Sequence, residues 1–156
     1  MDKKKAIKLT KEEKKFEEEV LQVRRVSKKT PGGNYITFSA LVVVGDKKGK
    51  VGVGLAKATE VPPAIAKAAR QAQKAMIEVA LKGTTIPHDV YIKYKAAKVY
   101  LKPAPVGTGL KVGSVVRKIL ELAGIKDVSG KIIGSRNKIV NAYAMIEALK
   151  SLKKPK

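Results

Sequence analysis

The stretch from Ile36 to Pro62, ITFSALVVVGDKKGKVGVGLAKATEVP, constrains the fold of this chain more than any other segment. Its first arm alternates. Ile36, Phe38, Ala40, Val42 and Val44 fall on one side of a strand, and Tyr35, Thr37, Ser39, Leu41 and Val43 on the other. Gly45 to Lys50 reads as the hairpin turn, because its glycines accept positive φ without steric cost. The returning arm puts Val51, Val53 and Leu55 on one face and Gly52, Gly54 and Ala56 on the other. A face so bare of side chains predicts that another segment lies very close to it. Glu60-Val61-Pro62-Pro63 then opens a helix, since proline suits the first turn, where its missing N–H costs nothing.

The same periodicities lay out the rest of the chain. Residues 1–16 are lysine-rich without an apolar period and read as a basic flexible tail. Lys14 to Val23 fits a short helix or the lead into a strand, and Val20 to Ser27 reads as the first strand of an antiparallel sheet. The helix is expected from about Val61 to Leu81. Ile65, Ala69, Ala72, Met76 and Val79 form its buried stripe, and Lys67, Arg70, Gln71, Lys74 and Glu78 face outward. Residues 83–89 are turn-rich and read as a linker. Beyond them, strands are expected at Val90–Tyr94, Ala97–Leu101 and Val128–Ile133. A helix over Ser114–Ala123 turns Val116, Ile119, Leu120 and Ala123 inward and ends on Gly124. A last helix, capped by Asn137 or Ser135, buries Ile139, Ala142, Met145, Ile146 and Leu149. The expected fold is therefore α+β in two small domains, 17–82 in the order β-β-β-α and 90–152, with a basic tail at 153–156.

Charge narrows the partner. The 34 basic residues against 13 acidic give +21, and the excess is spread: +5 over residues 1–30, +5 over 31–82 and +11 over 83–156. Positive charge distributed through a folded body is the footprint of a polyanion, and nucleic acid is the expected one. No apolar run approaches the roughly 18 residues that span a bilayer, so no membrane is expected. The first fifteen residues lack the apolar segment of a secretion signal, and a cytoplasmic protein is expected. Without cysteine there is no disulfide framework, zinc–thiolate site or redox chemistry. The aromatic residues are few. Most of Tyr35, Phe38, Tyr91, Tyr94, Tyr100 and Tyr143 are expected in or half in the core, with no paired platform for stacking bases, so RNA shape and backbone charge should carry recognition.

Catalysis has little to stand on. The single histidine, His88, sits in a turn, and no spaced acidic pair suggests acid–base work. Gly52-Val53-Gly54-Leu55-Ala56-Lys57 lacks the third glycine of a dinucleotide loop and follows a hairpin turn. No cofactor and no metal are expected. The candidate RNA-binding residues are Arg24, Arg25, Ser27, Lys28, Lys29, Gly32 and Gly33 in one basic loop, with Lys57 and Lys67 near the start of the helix. Lys102, Lys111 and Arg136 join them in the second domain, where Lys98 and Arg117 also flank the proline loop. Cations and hydroxyls there supply phosphate contacts, and glycines let the backbone approach. Lys47, Lys48 and Lys50 at the hairpin tip fit either solvent or RNA.

The hairpin block closely resembles the bacterial small-subunit ribosomal protein S-five family. Arg25-Val26-Ser27-Lys28 with Gly32-Gly33, the run Lys102 to Leu110, and Gly134-Ser135-Arg136-Asn137 with Asn141 match further family signatures in order, over roughly Glu18 to Leu149. The resemblance implies a first domain like a shortened double-stranded-RNA-binding domain and a second α/β sandwich with a left-handed βαβ crossover. It also implies a non-enzymatic constituent of the small ribosomal subunit that binds its ribosomal RNA through the Arg25–Gly33 loop. Assembly of the body–head junction and decoding accuracy are implied as well, with proteins S-four and S-eight as neighbours and a contact with the path by which messenger RNA enters. The family's loop is associated with spectinomycin sensitivity, and Lys29-Thr30-Pro31 departs from its commonest wording. Two rivals share these residues: a free RNA-binding or RNA-chaperone module, and an enzyme of the phosphate-handling superfamily that shares the second fold.

Overall fold

The structure is a computed structural model and describes residues 16–153. The tails expected at either end lie almost wholly outside the described residues. The first sheet has the order β1 (Glu17–Thr30), β2 (Gly33–Gly45), β3 (Lys50–Ala58), β4 (Ile77–Glu78), all antiparallel. Helix α1 (Val61–Lys74) lies on one face. The second sheet has the order β5 (Val90–Tyr94), β6 (Ala97–Pro103), β8 (Val128–Ile133), β7 (Leu110–Lys111), and β7 runs parallel to β8. Helix α2 (Ser114–Ala123) links β7 to β8, and α3 (Lys138–Lys150) closes the domain.

The two faces of β2 enter different cores. Ala40, Val42 and Val44 meet Ala56 and the α1 alanines Ala64, Ala68, Ala69 and Ala72. Leu41 and Val43, with Val51 and Val53, join the core made by α2, α3 and the inner side of the second sheet. Four layers result: α1, first sheet, α2 with α3, second sheet. The bare face of β3 is where α1 presses in. A Cβ added at Gly54 would lie 2.7 Å from the Ala72 nitrogen, and one at Gly52 3.0 Å from the Met76 Cγ.

Several expected elements differ from those observed. Strand β1 reaches from Glu17 to Thr30 because it pairs with β2 along nearly its whole length, interrupted by a bulge at Leu21. Helix α1 stops at Lys74. Ala75 leaves helical geometry, and Ile77-Glu78 pairs with Val51 and Lys50 at the sheet edge. Val79 is buried, but in the core on the far side of the first sheet from α1. Segment 83–89 is no loose tether, since Ile86 is fully buried and the Thr84 carbonyl accepts from the N–H groups of Lys126 and Asp127. His88 is a brace: its Nε2 accepts from the Lys153 N–H at 3.0 Å, while Nδ1 faces the Asp89 carbonyl at 2.8 Å. The expectation that the tyrosines are core or half-core fails for Tyr35, Tyr91 and Tyr100, which are 54%, 61% and 40% exposed.

The hairpin tip is docked on the second domain rather than free. The N–H groups of Lys47 and Gly49 donate to the Leu122 and Ala123 carbonyls at the end of α2, each at 2.9 Å. Those carbonyls have no partner within the helix, so one domain's turn caps the other's helix. Gly124, at φ 92, closes the same helix in the left-handed region. Asp46 holds the turn by accepting from the Lys48 and Lys50 N–H groups through Oδ1, and Lys47 pairs with Glu17 at 3.0 Å. Among the described residues, no helix is long and apolar enough to cross a membrane.

Candidate nucleic-acid interface

The loop expected around Arg25–Gly33 is a two-stranded ribbon. Pairing between β2 and β3 ends at Phe38 with Ala58, whereas β1 and β2 continue through five further pairs, from Val26–Thr37 to Thr30–Gly33. At about 3.4 Å per residue the ribbon projects roughly 15 Å past the third strand. Pro31 and Gly32 make its turn, Gly33 takes φ 126, and the Thr30 hydroxyl donates to the Gly33 carbonyl at 2.8 Å. A Cβ on Gly32 would meet nothing within 4 Å, so of the two glycines Gly33 carries the conformational demand.

The register divides the cations between the faces of the ribbon. Arg25, Ser27 and Lys29 stand opposite Phe38, Ile36 and Asn34, on the α1 side. Arg24 and Lys28 stand opposite Ser39 and Tyr35, on the other side, and Lys57 completes a row with Ser39 and Arg24. All five cations are exposed, and no acidic residue occurs between Val20 and Gly45. Arg24, Lys28 and Lys57 thus form one cationic group, and Arg25 and Lys29 a second on the reverse. Lys67 lies apart on the exposed side of α1, across the sheet from Lys57. The start of α1 is a poor phosphate site in any case. Pro62 and Pro63 have no N–H to offer, and the N-cap residue Glu60 is an anion.

In the second domain, alternation sends Ala97, Val99 and Leu101 inward and Lys98, Tyr100 and Lys102 outward on β6. Pairing then sets Lys93 beside Lys98, Tyr91 and Lys131 on either side of Tyr100, and Ser129 between Lys102 and Lys111. The predicted Lys98, Lys102 and Lys111 therefore share one open sheet face with Lys93 and Lys131, which the sequence reading did not single out. Period-two alternation over Val90–Tyr94 and Val128–Ile133 carried that signal. Arg136 lies elsewhere, lining a hollow of about 310 Å³ with Lys131 and Lys138 beside the start of α2. Asn137 Oδ1 accepts from the Ile139 N–H at 3.0 Å and caps α3 there. Arg117 is engaged by Glu121 one turn along α2, at 3.4 Å.

One buried carboxylate has no counterpart among the expected residues. Asp127 is 4% exposed. Its Oδ2 accepts from the Thr84 hydroxyl at 2.6 Å, and its Oδ1 from the N–H groups of Gly109 at 3.0 Å and Gly107 at 3.2 Å. The Thr84 and Gly109 bonds hold its carboxyl below the usual value, outweighing the opposite push of burial, with smaller help from Gly107 and Lys126. It ties the proline–glycine loop to the segment between the domains.

The comparisons with known proteins cover the same two units. The family model "Ribosomal protein S5, N-terminal domain" matches residues 16–80, and "Ribosomal protein S5, C-terminal domain" matches residues 92–156. The chain is 49% identical over 138 residues to "Small ribosomal subunit protein uS5" of Thermus thermophilus, covering 88% of this chain and 85% of the relative. The same protein from two strains of that organism matches with the same figures. With both domain models in order and a relative matched over most of its length, the chain belongs to the ribosomal protein S5 family, structural constituents of the bacterial small ribosomal subunit and partners of its RNA.

Proposed function

We propose that the β1–β2 ribbon is the principal ribosomal-RNA contact of this chain, entering between RNA segments so that both faces meet phosphate. The observation that carries this is the split register. Arg24 and Lys28 on one face and Arg25 and Lys29 on the other, with no acidic residue between Val20 and Gly45, suit a projection contacted from two sides. Lys57 extends the first face toward the body of the domain, and Lys67 gives a separate contact from α1. Lys102, Lys111 and Arg136 add phosphate contacts from the second domain. Cations fix register and orientation without reading sequence, as a structural RNA partner requires. In this reading the chain works by binding rather than by turnover. It supports assembly of the body–head junction and shapes decoding accuracy together with protein S-four. It also neighbours protein S-eight and the path by which messenger RNA enters. The support for these finer roles is membership of the family, together with the docked turn of Gly45–Lys50, which ties the two domains to each other.

The test is Gly32→Asp in cells, followed by sucrose-gradient sedimentation of the small subunit and a misreading reporter. The position is open and its φ ordinary, so the variant folds. The added anion at the ribbon tip should deplete the protein from the subunit at moderate salt and alter accuracy, whereas Lys48→Ala should do neither. Native sedimentation and accuracy for Gly32→Asp would refute the ribbon as the principal contact.

A further inference from the structure

Among the described residues nothing covers the outer face of the second sheet, and its composition is unusual for an open surface. Tyr91 and Tyr100 are direct cross-strand partners, with ring centroids 6.4 Å apart and planes inclined by 56°. Lys98 and Lys102 flank Tyr100 along its own strand, and Lys131 stands next to it across β8. Lys93 faces Lys98 directly, Lys111 closes the far row, and Ile133 adds an apolar patch at 53% exposure. No outward position on these four strands is acidic. Like charges directly opposite each other destabilise a sheet, and exposed rings gain nothing from water. Both features become favourable once an anion with flat, stackable groups lies on the face.

We propose that this face binds a short run of unpaired RNA, with successive bases stacked on Tyr91 and Tyr100 and the adjoining phosphates held by Lys93, Lys98, Lys102 and Lys131. The rings are tilted to each other, so each takes its own base instead of the pair clamping one between them. A duplex cannot use the rings, because its bases are already stacked on one another and its shallow minor groove offers base edges and 2′-hydroxyls rather than base faces. A protein partner fits less well, since lysine is depleted from interface centres. A second copy of this chain would bring another +21. The surface is distinct from the ribbon on β1 and β2, so it stands or falls separately from that contact, and it deepens the second-domain phosphate contacts proposed above, with which it shares Lys102.

The test measures base stacking apart from charge. The full chain is titrated against a labelled oligouridylate of about twelve nucleotides and against an abasic strand of the same length and phosphate count, by fluorescence anisotropy at moderate salt. Stacking on one ring is worth about tenfold in affinity. The native chain should therefore favour the base-bearing strand by tenfold or more. Tyr91→Ala with Tyr100→Ala should abolish that preference, while the paired phenylalanine substitutions keep it. Lys131→Ala should weaken both strands alike. Arg25→Ala with Lys28→Ala should lower affinity for ribosomal RNA and leave the base preference intact. Both rings project from an open face, so the alanine variants keep the core, which thermal melts verify. Equal native affinity for the two strands, or a preference that survives the double alanine variant, would overturn the proposal and leave the face to a protein partner.

Discussion

Replacing Gly54 by alanine probes the closest approach in the first domain. The new Cβ would sit 2.7 Å from the Ala72 nitrogen and nearer still to the Ala68 carbonyl oxygen, where ordinary contact begins at 3.4 Å, so α1 must retreat by at least 0.7 Å. The helix is held there by Ala64, Ala68, Ala69 and Ala72, all buried and all too short to follow the sheet. Four buried methyl groups contribute about 3 kcal/mol together. A gap of this size forfeits a quarter to a half of their contact, about 0.8–1.5 kcal/mol, and strain on the backbone adds about 1–2 kcal/mol. Reduced freedom of the unfolded chain returns about 0.4–1 kcal/mol. The expected net loss is about 2 kcal/mol, or a urea midpoint lower by roughly 1 M at an ordinary slope. The assay is equilibrium unfolding of RNA-free protein, since bound RNA would mask the loss by linkage. Gly32→Ala, where no atom lies within 4 Å, serves as the control and should stay within about 0.5 kcal/mol of native. A Gly54→Ala midpoint equal to native would refute the argument that glycine is there to admit the helix.

Other positions make separate claims. Gly45→Ala puts a Cβ 2.8 Å from that of Leu122, so the docked turn should lift and the amides of Lys47 and Gly49 should exchange markedly faster, while those of β1 stay protected. Gly33→Ala, at φ 126, should destabilise the ribbon by about 1–2 kcal/mol, measured by the same unfolding assay. Asp127 is expected to set an acid limit. Its folded carboxyl is held below 3.8, so its stabilisation is complete above that value and drains away as pH falls from there through the lowered folded value. Melts from pH 6 down to 2 should show a steeper loss in the native protein than in Asp127→Asn, which should also speed proteolysis of the Pro105–Gly109 loop at neutral pH.

Much of this architecture was legible because the relevant signals are local. The Gly52–Gly54–Ala56 face announced a close neighbour, and α1 is there. Strands β5 and β8 and helix α2 begin and end where period and the Gly124 cap put them. What stayed hidden depended on tertiary partners. Glu17–Glu19 and the ribbon lysines are weak strand formers in isolation, and only pairing with β2 makes them a strand. Helical spacing runs on through Met76 and Val79, but the free edge of β3 claims Ile77 and Glu78. The run of cations from Arg24 to Lys29 is plain in the sequence, yet its division between two faces is a matter of register. The aromatic pair stays hidden because alternation puts Tyr91 and Tyr100 outward one at a time, and only the antiparallel register of β5 and β6 makes them cross-strand partners. Asp127 gave no signal at all, since its three donors come from Thr84, Gly107 and Gly109.

The central claim is that the ribbon holds ribosomal RNA by charge from both faces. Its most direct test is the salt dependence of affinity for small-subunit ribosomal RNA, native chain against one carrying Arg24→Ala, Arg25→Ala, Lys28→Ala and Lys29→Ala. Each lost phosphate contact lowers the slope of log affinity against log salt by about 0.7–0.9, so the variant should bind more weakly with a slope shallower by about 3. A variant with the native slope would contradict the account and move the RNA contact to another surface of the molecule.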